Sequence, residues 1–225
     1  MLLNLLAIEA SLRRVQQEFE VINQRLNAQR DPLSDEVVEN LLAGYQFVDA
    51  LVESGIDVFS MGQHHHLLEL NTLVLCGQNP ARRAEFAPHI AATERRFYEE
   101  REGGIEDLVE WRSRHWNESV WKLAAGAYMR ILSKPQLFIE GNHRTGVLIM
   151  SYVLLRKGKP PFVLSVDNAL AYFDPSTAIR DTSKLGAMAL FRLPGIKKRF
   201  ARFLEEHTDE VYLLAPDSFE CLRSS

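Results

Sequence analysis

Residues 138–146 read F-I-E-G-N-H-R-T-G, and an apolar run, V-L-I-M-S-Y-V-L-L over 147–155, follows directly. The run predicts a buried helix, and the glycine-bearing stretch predicts the turn that feeds its start. Such a junction brings free backbone N–H groups and the positive end of the helix dipole to one point. Glu140 can hold a cation there, Asn142 offers an amide, and Arg144 offers a forked cation for phosphate oxygens. We read these residues as a phosphate-binding turn.

The flanks predict helices on both sides. Val120, Leu123, Ala124, Ala127, Tyr128 and Ile131 recur at helical spacing and run into the turn. The helix after the turn is expected to stop near Gly158, where Pro160 and Pro161 cannot continue it. Further towards the N-terminus, Met1, Leu5, Ile8, Leu12, Val15, Phe19, Ile22 and Leu26 step by fours and threes, a heptad seam. The seam packs either on the rest of the chain or on a second copy, which leaves a homodimer open. Pro32 breaks this helix, and Ser34 or Asp35 caps a second, whose apolar face runs from Val38 to Leu51 and which ends at Gly55. A third helix is expected over 65–75, ending at Gly77 and Pro80.

Residues 79–104 are Arg/Glu-rich without a sustained period, so loops and a short hairpin are expected, a surface where a partner can dock. A helix over 105–116 follows. The last third predicts shorter helices around 169–173, 183–191 and 197–207. Strand-like runs are rare, so the class is mainly α. Two regions are expected: a heptad helix over 1–32 and one larger domain over 33–225.

Composition agrees with a soluble globular protein. The chain has 225 residues, 46% hydrophobic and 25% charged, with a net charge of −4. No long basic tract is present, which argues against nucleic acid as the main partner. Cys76 and Cys221 are the only cysteines, too few for a disulfide framework, and a reducing cytoplasm is the simple reading. The apolar start lacks a basic flank, and no later stretch is long and uncharged enough to cross a bilayer. His64, His65 and His66 fan out by about 100° each on a helix, so they read as exposed histidines rather than metal ligands. Trp111, Trp116 and Trp121 read as packing residues, and His115 can approach the turn. Lys197, Lys198 and Arg199, with Arg192 and Arg202, read as a solvated helix face.

Gln136-Leu137-Phe138-Ile139-Glu140-Gly141-Asn142-His143-Arg144 resembles the motif of the Fic family (Fic and Doc proteins), H-P-F-x-D/E-G-N-G/K-R. Leu123-Ala124-Ala125 sits where that family's preceding helix lies. The stretch from Leu154 to Phe162 looks like the family's exit, and Tyr172-Phe173 resembles the aromatic pair that follows. The resemblance covers roughly 37–199. It implies a helical Fic core with a small β-hairpin flap, and transfer of AMP from ATP to a protein hydroxyl. It further implies Glu140 as the Mg²⁺ ligand and Phe138 as a core anchor, grouped with the cofactor-binding residues. Gly141, Asn142, His143, Arg144 and Thr145 would bind the phosphates of ATP or a related nucleotide, with Arg144 at the β/γ end. A target protein would dock at the 79–104 flap.

Three departures alter that picture. Gln136 replaces the family's histidine, and a neutral amide cannot accept a proton from an attacking hydroxyl. Losing a positioned base costs about 10²–10⁴-fold, although phosphoryl-type transfer leans mostly on positioning and charge stabilisation. His143 stands where the family has Gly or Lys; it narrows the phosphate pocket and either contacts phosphate or acts as an out-of-register base. Val147 replaces the family's second arginine. Residues 35–40, D-E-V-V-E-N, resemble the family's inhibitory S/T-x-x-x-E-G/N, so Glu39 is either an inhibitory glutamate reaching Arg144 or a solvated helix residue. The expectation is a nucleotide-binding protein with impaired or altered chemistry. The competing readings are a transferase active with a non-standard base, and a helical interaction protein without catalysis.

Overall fold

The chain is mainly α and runs α1 (Leu5–Gln24), α2 (Asp35–Glu53), α3 (His65–Cys76), α4 (Pro80–Glu85), α5 (Ala87–Glu99), α6 (Ile105–Arg114), α7 (Val120–Leu132), α8 (Asn142–Leu155), α9 (Ala169–Arg180) and α10 (Ala187–His207), then a 3₁₀ turn, Glu210–Tyr212. The computed structural model describes residues 2–215, the side chains of 187–190 apart. Met1 and Cys221 therefore lie outside the described residues. No helix among those described is long and apolar enough to cross a membrane.

Helix α8 is the axis of the fold. Every residue from Thr145 to Leu155 is buried, as expected of a helix that is apolar all round. It packs between α7 on one side and α2 and α3 on the other, while α10 backs α7. Close approach is made possible by glycine. A Cβ on Gly44 of α2 would overlap Leu148 Cδ1, and one on Gly146 would lie 2.9 Å from Tyr128 Cδ2 on α7. The Pro160–Phe162 exit is tied down by the Phe162 carbonyl, which accepts from Tyr45 Oη (2.7 Å) and Ser151 Oγ (3.0 Å).

The heptad seam of α1 is buried within its own chain. Ile8 and Leu12 join the main core, and Val15, Phe19 and Ile22 close on Ala169 of α9. Ser34 caps α2, its Oγ accepting from Val37 N at 3.3 Å. Buried Asp49 holds the chain start by accepting from Leu2 N (2.7 Å) and Leu3 N (3.1 Å).

Two expectations fail. Residues 79–104 hold α4 and α5 rather than loops and a hairpin, and β pairing among the described residues is limited to two isolated bridges, Leu3–Leu213 and Lys134–Ser183. Asn79 caps α4 ahead of Pro80, Pro88 opens α5, and Thr93 and Phe97 give α5 a narrow buried stripe. Four residues of spacing inside a polar run carry little periodic signal, and tertiary packing decides. The separate helices expected over 183–191 and 197–207 are one helix, α10, with Pro194 inside it. Trp111 is buried, but Trp116 is 71% exposed and packs no core.

Replacing Gly44 by Val should destabilise the fold. Overpacking costs about 1–3 kcal/mol, more than the fraction of a kcal/mol that a better helix former returns. Thermal melting should show a fall of several degrees; an unchanged or raised midpoint would mean that α2 and α8 are not packed this closely.

Candidate functional site

The turn between α7 and α8 is locked from within. Asn142 is buried, its Oδ1 accepting from Phe138 N (2.9 Å) and its Nδ2 donating to Phe138 O (2.8 Å). Both partners are main-chain groups of one residue, so a single side chain closes the loop. Gly141 caps α8 with φ of 75°, in the left-handed region that favours glycine. The first helical bond runs from Thr145 N to Gly141 O at 2.9 Å. The N–H groups of Asn142, His143 and Arg144 therefore open the helix without intrahelical acceptors, at the positive end of the dipole.

Neighbouring helices brace the turn. Asn71 of α3 donates from Nδ2 to Glu140 O (2.9 Å) and to Thr145 Oγ1 (3.0 Å). From α5, Phe97 stacks on Phe138 with ring centroids 5.9 Å apart. Arg96, also on α5, donates to Gln136 O at 2.8 and 3.2 Å. The segment expected to be a flap thus supports the turn from beneath.

A cavity of about 370 Å³ opens beside the start of α8, lined by His143, Arg144 and Val147. Its other walls are Arg30 to Leu33, Val37, Leu41 and Tyr45 of α2, and Tyr172 and Phe173 of α9. Arg144 donates through Nη1 to Val74 O at 3.0 Å. Burial pulls its pKa below the ordinary arginine value against the pull of Glu140 and Glu36, yet a guanidinium stays cationic at neutral pH.

His143 is fixed at both ring nitrogens. Arg30 Nη1 lies 3.3 Å from its Nε2, and Tyr128 Oη lies 3.2 Å from its Nδ1. Arginine offers only donors, so Nε2 accepts and the proton sits on Nδ1, which donates to Tyr128 Oη. The hydroxyls of Tyr128 and Tyr172 are in turn hydrogen-bonded to each other at 2.9 Å. Burial, then the charges of Arg30 and Arg180, push the His143 pKa down to about 3. Burial also holds Tyr172 up at about 12 and Tyr128 well above its usual value. All three side chains are neutral at physiological pH, and Arg30 is the one cation hydrogen-bonded into this network.

The predicted residues divide into three groups. His143 and Arg144 face the cavity. Phe138, Asn142 and Thr145 are buried supports, and Gly141 is the cap. Gln136 and Glu140 do not line the cavity: Gln136 Nε2 donates to Leu132 O at 3.2 Å, while Glu140 is exposed at the edge of the turn. Glu39 points elsewhere, its ion pair being a loose 3.9 Å contact with Arg13. His115 stacks on Trp111 and lines a different cavity with Lys184, away from the turn.

Sequence reasoning missed Arg30 and Asn71. Arg30 lies between helices where no period points inward. Asn71 did carry a signal, a polar residue on the stripe of Leu67, Leu70 and Val74, and buried amides are kept where they find partners.

No protein-family model matches the chain, and no curated protein matches it. Among solved structures it is similar to a Fic-1 fragment from C. elegans carrying one glutamate-to-glycine substitution, with TM-score 0.50, 19% identity, and coverage of 90% of this chain and 60% of that one. The same fragment without the substitution gives TM-score 0.48 and 17% identity over the same shares. The chain spans about 60% of the length of these structures. The first of these likenesses shows the fold: the helical Fic fold.

His143 stays neutral in the folded protein down to about pH 3, while the unfolded chain protonates near 6.5. The unfolded state binds the extra proton across that window, so stability falls as pH drops through it. His143→Gln should lose less stability than the parent between pH 7 and 5 in denaturant titrations. Imidazole NMR should show an Nδ1–H tautomer at pH 5; a protonated ring at that pH would contradict the network.

Proposed function

We propose that this Fic-fold chain binds a phosphate-bearing ligand, a nucleotide with Mg²⁺, and is impaired in group transfer. One observation carries the reading: Arg144 and His143, in the first turn of α8 where the N–H groups are open, line a cavity large enough for a small organic ligand. Arg144 spends one donor on Val74 O, which leaves the rest of its fork for phosphate oxygens.

Glu140 fits a Mg²⁺ ligand of a particular kind. Among the described residues no cluster of three or more His, Cys, Asp or Glu could cage a metal. Mg²⁺ is commonly bound by one or two carboxylates plus substrate phosphates, and one exposed carboxylate beside a phosphate turn suits that mode. The metal would neutralise phosphate charge when bound. Asn142 and Asn71 would keep the turn rigid, since leaving Phe138 N–H unpaired costs about 1–3 kcal/mol.

The absence of a base supports impaired transfer. Gln136 is a neutral amide whose Nε2 is engaged with Leu132 O. His143 is a poor substitute, because its lone pair accepts from Arg30 and its basicity is depressed to about 3. A hydroxyl nucleophile would be oriented without losing its proton. A target protein would still find a helical face at α4 and α5.

Calorimetric titration of the full chain with ATP and Mg²⁺ tests this reading. Binding is expected, and Arg144→Ala should weaken it about tenfold to a hundredfold, the worth of a charge-assisted hydrogen bond. No binding by the parent chain would leave only a structural turn in an interaction protein. Labelled nucleotide and cell lysate should give no modified bands; bands abolished by Glu140→Ala would mean that transfer chemistry survives.

A further inference from the structure

Resting on the reading above, we propose that Arg30, supplied by the segment between α1 and α2, acts with Arg144 as the cationic end of an amphipathic cavity that takes an organic phosphate with an apolar body.

Charge balance is the first reason. Two arginines, Arg30 and Arg144, line this cavity, and among the described residues neither has a carboxylate within ion-pair distance. Asp31, exposed at the rim, is the one carboxylate among the lining residues. Glu140 and Glu36 act on Arg144, and Asp181 on Arg30, only from beyond ion-pair distance, and an anion bound in the cavity would add the close counter-charge that both arginines lack.

Hydrogen bonding is the second. Arg30 donates through Nη2 to Thr177 Oγ1 (2.5 Å), Ser176 Oγ (3.3 Å) and Phe173 O (3.3 Å), and through Nη1 to His143. Every one of these acceptors is neutral. Its Nε–H is buried with no partner at all. None of its donors is spent on a carboxylate, so the cation keeps its full charge for an anion in the cavity. The guanidinium is also pre-positioned, since its carbon lies 5.5 Å from the Phe173 ring centroid and little rotamer freedom is left to lose on binding.

The remaining wall decides the class of ligand. Leu12, Leu33, Leu41, Val147 and Phe173 make most of the surface apolar, which suits a base, a ring or a short chain but not bare inorganic phosphate. A volume of about 370 Å³ lies within the range of small-molecule sites.

Calorimetry on the full chain separates this proposal from the reading it rests on, with ADP and inorganic diphosphate as probes. ADP should bind more tightly than diphosphate, and Arg30→Gln should weaken both at least tenfold. Arg13→Gln, which removes a half-buried arginine paired with Asp35 outside the cavity lining, should change neither. Arg30→Lys keeps the charge and should recover at least part of the loss. If Arg144→Ala abolishes binding while Arg30→Gln binds as the parent does, the turn reading stands and the role of Arg30 falls. If the parent binds neither probe, both fall. Equal losses in Arg30→Gln and Arg30→Lys, with equally lowered melting temperatures, would make Arg30 a packing residue and overturn the proposal.

Discussion

Two hydrogen bonds between Asn142 and the main chain of Phe138 are the constraint on which the site depends. They close a short loop at the entrance to a fully buried helix, and so decide where the first amides of α8 point. Removing the side chain would leave a buried N–H and C=O without partners, at about 1–3 kcal/mol apiece. The surrounding helices add to this lock rather than replace it: α3 through Asn71, α5 through Arg96 and Phe97. A rigid turn on a rigid helix is the arrangement that a pre-organised binding site needs.

The same region is the physical basis for the proposed separation of binding from catalysis. Desolvation makes an arginine more valuable to a phosphate and a histidine less useful as a base. Arg144 cannot lose its proton near neutral pH, whereas His143 responds to burial and to Arg30 by staying neutral. A chain of neutral hydrogen bonds, His143 to Tyr128 to Tyr172, then secures the side of the cavity facing α7 and α9. The geometry favours holding an anion still over moving a proton.

Much of this was legible in the chain itself, for identifiable reasons. F-I-E-G-N-H-R-T-G and the apolar run after it predicted a glycine-bearing turn into a buried helix, and the structure has both, with Gly141 as the cap and the helix already under way at Asn142, inside the motif. The α1 seam was equally legible because Ile8, Leu12, Val15, Phe19 and Ile22 repeat regularly. Its partner was not, since a seam does not say whether it meets its own chain. Helices α4 and α5 were hidden because only Thr93 and Phe97 are buried in a run of charged residues. Arg30 was hidden for a related reason: a residue between helices has no period, and its place is decided by Ser176 and Thr177, far along the chain. For Glu39 the pattern left two readings open, a contact with Arg144 or a solvated place on the helix, and in the structure its side chain is exposed beside Arg13.

If the amides that open α8 cradle phosphate, they must respond to it before any other part of the backbone. Amide NMR shifts recorded while ADP and Mg²⁺ are titrated into the full chain test this at residue level. The largest changes are expected at Asn142, His143 and Arg144, with smaller ones at Arg30. Shifts confined to other surfaces, with these three amides unmoved at saturation, would contradict a phosphate site at this turn.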